Sequence, residues 1–127
     1  MGLASLRFVA FSLVCALFAT GLFPAPSSAQ TPDELNKKGL DLARGGNCTA
    51  AIKEFSRATY INPKFAEAWY NKGHCNADLG AYADAVRDYT RALELDPKDA
   101  VAYNNRGHSR YALGEYNRAV ADYNRAI

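Results

Sequence analysis

Apolar and small residues recur at spacings of three and four over most of the chain after residue 31, which is typical of amphipathic helices. In 66–79 this face comprises Ala66, Trp69, Tyr70, Gly73 and Ala77. In 83–95 it comprises Ala85, Val86, Tyr89, Ala92, Leu93 and Leu95. The pattern predicts two helices joined by a short turn at Gly80–Tyr82, where glycine allows a left-handed backbone.

The predicted helix pair recurs with a period of 34 residues, in the ungapped units 32–65, 66–99 and 100–127. The columns in register are Gly39, Gly73 and Gly107; Ala51, Ala85 and Ala119; Phe55, Tyr89 and Tyr123; and Ala58, Ala92 and Ala126. A repeat of this length indicates a stacked array of helix pairs rather than a single-cored enzyme domain.

The start of the folded part has its own signal in Thr31-Pro32-Asp33-Glu34. Thr31 suits the N-cap, Pro32 the first helical position, and Glu34 completes a capping box. At the other end of a unit, Pro63 and Pro97 separate one helix pair from the next because proline cannot continue a helix.

The N-terminal segment 1–29 differs in composition from the repeats. Arg7 is its only charge, and the apolar run Phe8–Phe23 is shorter than the roughly 20 residues that span a bilayer. Ser27 and Ala29 are small residues at the spacing that signal peptidase accepts. We interpret 1–29 as a signal peptide cleaved after Ala29, with an uncleaved anchor as the alternative, and expect a periplasmic or secreted protein without membrane contact after cleavage.

Charge and motifs exclude several functions. The formal net charge is +2, and basic and acidic residues interleave, so no nucleic-acid partner is predicted. The chain shows no phosphate loop, dinucleotide fingerprint or Ser–His–Asp arrangement, and we predict no enzyme activity and no cofactor. His74 and His108 occupy equivalent positions and could face one groove, but no spacing matches a structural zinc motif, so no metal site is predicted.

Cys48 and Cys75 belong to the part that would remain after cleavage. Disulfides persist outside the cytosol, so the pair is a candidate for a bridge between the first and second units. Two separate buried thiols are the alternative.

The repeat resembles the tetratricopeptide repeat over residues 32–127. That pattern has Trp, Leu, Gly and Tyr in the first helix, Ala, Phe and Ala in the second, and Pro at the end. The middle unit matches at Trp69, Gly73, Tyr82, Ala85, Tyr89, Ala92 and Pro97. The leucine before glycine is replaced by Lys38, Lys72 and Arg106, which we interpret as a partly exposed edge.

The resemblance implies an all-α fold, a right-handed α-solenoid whose first helices line a concave groove for an extended peptide or partner helix. The groove residues expected on this basis are Asn36, Tyr70, Asn71, His74, Asn104, Asn105, His108 and Tyr111. Asn71 and Asn105 are equivalent, and an amide can both donate to and accept from a peptide backbone; plain polar surface is the alternative. Of the positions that clamp chaperone carboxylates in one subgroup, only Asn71 fits, so no such clamp is predicted.

The resemblance predicts an exported adaptor or scaffold that binds another protein. One rival is the recognition module of a longer enzyme with its catalytic domain beyond residue 127. Another is a structural repeat that assembles with itself. The third unit stops at Ile127 within its second helix, so its open end is a candidate surface for self-association, a partner or continuing chain.

Overall fold

The fold is known from a computed structural model, which describes residues 28–127. This part comprises six helices and no strand: α1 Pro32–Arg44, α2 Cys48–Ile61, α3 Ala66–Asp78, α4 Tyr82–Leu95, α5 Ala100–Ala112 and α6 Tyr116–Ala126. The predicted all-α class is confirmed. The predicted signal peptide lies outside the described residues except for Ser28 and Ala29. Within residues 28–127, no helix has both the length and the apolar composition needed to cross a bilayer.

The helices form three antiparallel pairs that stack side by side. Each helix packs against its neighbours in the chain, and the first helices also contact one another, α1 with α3 and α3 with α5. Within residues 28–127, the second helices α2, α4 and α6 do not contact one another. The first helices therefore form the inner layer of a curved stack, which is the solenoid predicted from the repeat.

Local signals set the ends of these helices. The predicted capping box is present: Thr31 Oγ1 accepts a hydrogen bond from the Glu34 backbone N–H at 3.2 Å, and Glu34 Oε2 accepts one from the Thr31 N–H at 2.9 Å. The turn inside each pair contains a glycine with positive φ, which is 76° at the predicted Gly80. Gly46 and Gly114 are equivalent to Gly80 and have φ values of 81° and 78°.

A close approach of the two helices in each pair explains the column of glycines. At Gly73, an added Cβ would lie 3.1 Å from two ring atoms of Tyr89 and 3.2 Å from Asp88 Cβ. Ala85 and Tyr89 on the facing helix are both buried. The predicted packing of small residues against large aromatic rings is therefore confirmed, and it holds the inner layer at a fixed offset from the outer one.

Candidate functional site

The largest feature of the inner layer near α3 and α5 is a cleft of about 370 Å³. Its walls are formed by His74, Ala77, Asp78, Tyr82, Tyr89, Asn105, His108, Ser109, Tyr111 and Ala112. Four of the eight predicted groove residues, His74, Asn105, His108 and Tyr111, thus come together here. The two histidines face one groove, as their equivalent positions predicted.

The other predicted groove residues lie elsewhere. Tyr70 lines a separate cleft of about 280 Å³ with Glu67, Asp96 and Asp99 among its neighbours. Asn104 lines a third cleft at the C-terminal end of the stack. The predicted residues therefore share the inner helices but do not form one continuous site.

Asn36 and Asn71 are joined to each other across the boundary between the first two units. Asn71 Nδ2 donates to Asn36 Oδ1 at 3.1 Å, and Asn36 Nδ2 donates to Glu67 Oε1 at 3.0 Å. Asn36 is only 5% exposed, so its amide serves this internal network. Asn71 is half-buried and holds the second unit against the first.

Asn105 repeats this contact one unit later. Its Nδ2 donates to the Tyr70 hydroxyl at 2.9 Å, so an amide at the same position again reaches back to the preceding unit. The bond uses one of the two amide N–H groups, and the carbonyl oxygen has two further acceptor sites. Asn105 therefore has hydrogen-bonding capacity for a ligand in the main cleft.

Aromatic contacts position the histidine rings. His74 stacks on Tyr70 with ring centroids 6.3 Å apart and planes 7° apart, and His108 meets Tyr123 edge to face at 5.6 Å. His74 Nε2 also lies 3.9 Å from Asp78 Oδ2. Both rings are exposed, so their nitrogens are accessible from the groove.

The tyrosine hydroxyls at the base of the groove remain protonated donors. Burial raises the pKa of Tyr70, the Asp99 carboxylate adds to the rise, and the hydrogen bond from Asn105 opposes it. Burial also raises the pKa of Tyr89. In residues 28–127, no group of three or more His, Cys, Asp or Glu side chains could hold a metal ion.

The sequence interpretation missed an acid–base pair that recurs in every unit. The pairs are Lys38 Nζ–Glu54 Oε1 at 3.3 Å, Lys72 Nζ–Asp88 Oδ1 at 3.4 Å and Arg106 Nη2–Asp122 Oδ1 at 2.7 Å. The three bases were interpreted as a partly exposed edge, but each one reaches across to the second helix of its own unit. The acidic column follows the basic column by 16 residues, which was the available signal.

The acidic partners are the more deeply buried members of these pairs. Asp88 and Asp122 are buried, and Asn76 Nδ2 donates a further hydrogen bond to Asp88 Oδ2 at 2.8 Å. Burial raises the pKa of the Asp88 carboxyl, while Lys72 and Asn76 oppose that rise. The pairs therefore hold the two helices of a unit together and do not line the cleft.

The two predicted bridge cysteines are neighbours in the structure. Cys48 begins α2 and Cys75 lies in α3, both are buried, and their Sγ atoms are 2.6 Å apart. Both are free thiols. Their bridge stays a prediction, although the required proximity is present.

Comparisons with known proteins give the same fold. The tetratricopeptide repeat family model matches residues 66–99 and 100–127, the second and third units. An uncharacterized protein of Methanocaldococcus jannaschii is 33% identical over 48 residues, which are 38% of this chain. The match spans only 56% of that relative's length.

Solved structures are similar over three quarters of the chain. The second tetratricopeptide repeat domain of Spaghetti (RPAP3), solved with the HSP90 peptide SRMEEVD, is 25% identical with a TM-score of 0.74, covering 76% of this chain and 90% of that one. The Arabidopsis OM64 domain is 27% identical with a TM-score of 0.73, covering 75% and 78%. YrrB, a repeat protein with an unusual peptide-binding site, is 24% identical with a TM-score of 0.74, covering 79% and 52%. Together, the family model and these structures confirm that this chain is a right-handed α-solenoid built from tetratricopeptide repeats.

Proposed function

We propose that this chain is an exported adaptor that binds a peptide or helix of another protein along its inner helices. The observation that carries the proposal is the cleft of about 370 Å³ between α3 and α5. Its volume is within the range of about 300–1,000 Å³ that is usual for ligand sites.

The side chains around this cleft suit a peptide. The Asn105 amide can pair with a backbone N–H or carbonyl, and the His74 and His108 nitrogens add further hydrogen-bonding groups. Tyr111 is 60% exposed and offers an apolar ring to a ligand side chain. Neighbouring helices lie about 8–10 Å apart and an extended chain advances about 3.3 Å per residue, so about three peptide residues would pass each unit.

The related structures support peptide binding in general. The RPAP3 domain was solved with an HSP90 peptide, and YrrB is described by an unusual peptide-binding site. The chaperone-clamp positions of this chain match only at Asn71, so we expect a ligand other than a chaperone C-terminus.

Removing both groove histidines tests the binding site. Peptides selected from a random phage-displayed library on the wild-type protein are titrated calorimetrically against the His74→Ala/His108→Ala variant. Loss of two hydrogen bonds of about 0.5–1.5 kcal/mol each predicts at least roughly tenfold weaker binding. Both rings are exposed, so we expect the fold to survive, as circular dichroism will show.

Lys53→Ala is the matched control for this experiment. Lys53 is exposed on α2 in the outer layer, so we expect its removal to leave peptide affinity unchanged. Equal affinity for wild type and the double histidine variant would show that the peptides bind outside the groove.

Export is the second part of the proposal and predicts a defined mass. If 1–29 is a cleaved signal peptide, the protein isolated from its own host begins at Gln30. Intact mass spectrometry and N-terminal sequencing measure this directly. A retained Met1 on the native protein would contradict cleavage and the predicted periplasmic or secreted location.

A further inference from the structure

Two buried thiols from different units meet at the boundary between α2 and α3. Cys48 is 8% exposed and Cys75 is 1% exposed, and they belong to one apolar cluster with Ala51 and Phe55. Their Sγ atoms, 2.6 Å apart, are closer than two sulfur atoms that only touch. The positions of the helices thus bring both sulfurs within reach of a covalent bond of about 2.05 Å.

We propose that Cys48 and Cys75 are a modification site, at which an intrachain disulfide fastens the first unit to the second. The proposal rests on the two thiols alone and is independent of peptide binding. A metal site is a poorer account of the pair, because no group of three ligating side chains occurs in residues 28–127.

The oxidant is a reactive disulfide, such as glutathione disulfide or the oxidised form of a thiol–disulfide oxidoreductase. The Cys48 thiolate attacks one sulfur of the oxidant, whose S–S bond breaks and releases one thiol. Cys75 then loses its proton to solvent and attacks Cys48 Sγ, which displaces the second thiol. Two protein thiols become one disulfide, and one oxidant disulfide becomes two thiols.

The order of these two attacks follows from the burial of the thiols. Cys48 is the more accessible and stands at the first position of α2, whereas Cys75 is enclosed. Burial raises the pKa of Cys75 to about 12, and the hydrogen bond with Cys48 and the nearby Asp78 carboxylate contribute. Cys75 therefore acts second, on a sulfur already in contact with it.

The bridge would close a loop between residues 27 positions apart and would cross a unit boundary. Such a link restricts the unfolded chain and so stabilises the folded one. It also holds α2 and α3 together, which are otherwise joined only by packing and hydrogen bonds.

The direct test is the mass of the oxidised protein. The full chain carrying Cys15→Ser, which removes the third cysteine, is incubated with glutathione disulfide and then denatured in iodoacetamide without reductant. We expect a mass lower by two hydrogens, no alkylation, and a peptide map linking Cys48 to Cys75. A stable glutathione adduct on Cys48, or two alkylated thiols, would overturn the proposal.

Thermal unfolding tests whether the bridge fastens the units. We expect reductant to lower the Tm of the oxidised protein by about 10 °C or more. The Cys48→Ser/Cys75→Ser variant should show no reductant effect, and comparison within each variant cancels any loss caused by the serines themselves. A bridged protein whose Tm ignores reductant would refute the fastening role.

Discussion

Phe55→Ala is expected to lower the free energy of unfolding by about 3–5 kcal/mol. The Phe55 ring is fully buried, and it fills the space between the two helices of the first unit and the neighbouring Cys75. An added Cβ on Gly39 would lie 2.7 Å from Phe55 Cδ1, which shows how closely the α1 backbone approaches the ring. The surrounding helices cannot collapse into the cavity without moving apart, so both the lost burial and the cavity contribute.

Urea unfolding followed by circular dichroism measures this effect, in reductant so that the thiol state is constant. Tyr60→Ala on the same helix is the matched control, because Tyr60 is 88% exposed. We expect a change within about 0.5 kcal/mol for the control. Equal losses in the two variants would mean that Phe55 is not a core residue.

Asp122→Asn is expected to destabilise the third unit by about 3–5 kcal/mol. Asp122 is 2% exposed and accepts hydrogen bonds from Arg106 at 2.9 and 2.7 Å and from Arg110 at 2.8 Å. Asparagine keeps the shape but removes the charge, and it leaves two largely buried guanidinium groups without their carboxylate. Arg110 Nε is already buried without a hydrogen-bond partner in the described residues, so this site has no spare acceptor nearby.

Asp84→Asn is the control for this charge effect. Asp84 pairs with Arg87 on the exposed face of α4, where an ion pair contributes about 0–1 kcal/mol. Thermal and urea unfolding of both variants should therefore separate them clearly. Loss of stability that is no larger for Asp122→Asn than for Asp84→Asn would contradict the structural role of the buried pair.

The helices and their order could be predicted from the sequence because their signals are local. The spacing of apolar residues predicted helices over 66–79 and 83–95, and the structure has Ala66–Asp78 and Tyr82–Leu95. Gly80 has the left-handed backbone that the predicted turn requires. Each of these features depends on residues close in the chain, and the period of 34 repeats them.

The details of the groove depend on residues that are distant in the chain. Equivalent positions suggested that Asn36 and Asn104 would share one groove with Asn105. In the structure, Asn36 is enclosed by its bonds to Asn71 and Glu67, whereas Asn104 lies at the open end. Periodicity assigns a residue to a helix face, but its neighbours on the next helix decide whether it remains available.

The acid–base pairs were hidden for a similar reason. Read alone, the column beginning with Lys38 resembles a solvated helix face, and so does the column beginning with Glu54. Only the packing of the two helices within a unit brings a base within reach of an acid 16 residues later. The pairing is therefore a property of tertiary structure with a faint trace in the sequence.

These pairs also make each 34-residue unit electrically self-contained, because the base and its acid always lie in the same unit. Duplication or deletion of a whole unit would leave every remaining pair intact and orphan no buried charge. Contacts that cross a boundary behave differently: Asn36–Asn71 and Cys48–Cys75 each need one particular neighbour. The array can thus change its length freely, while the boundary residues record which unit follows which.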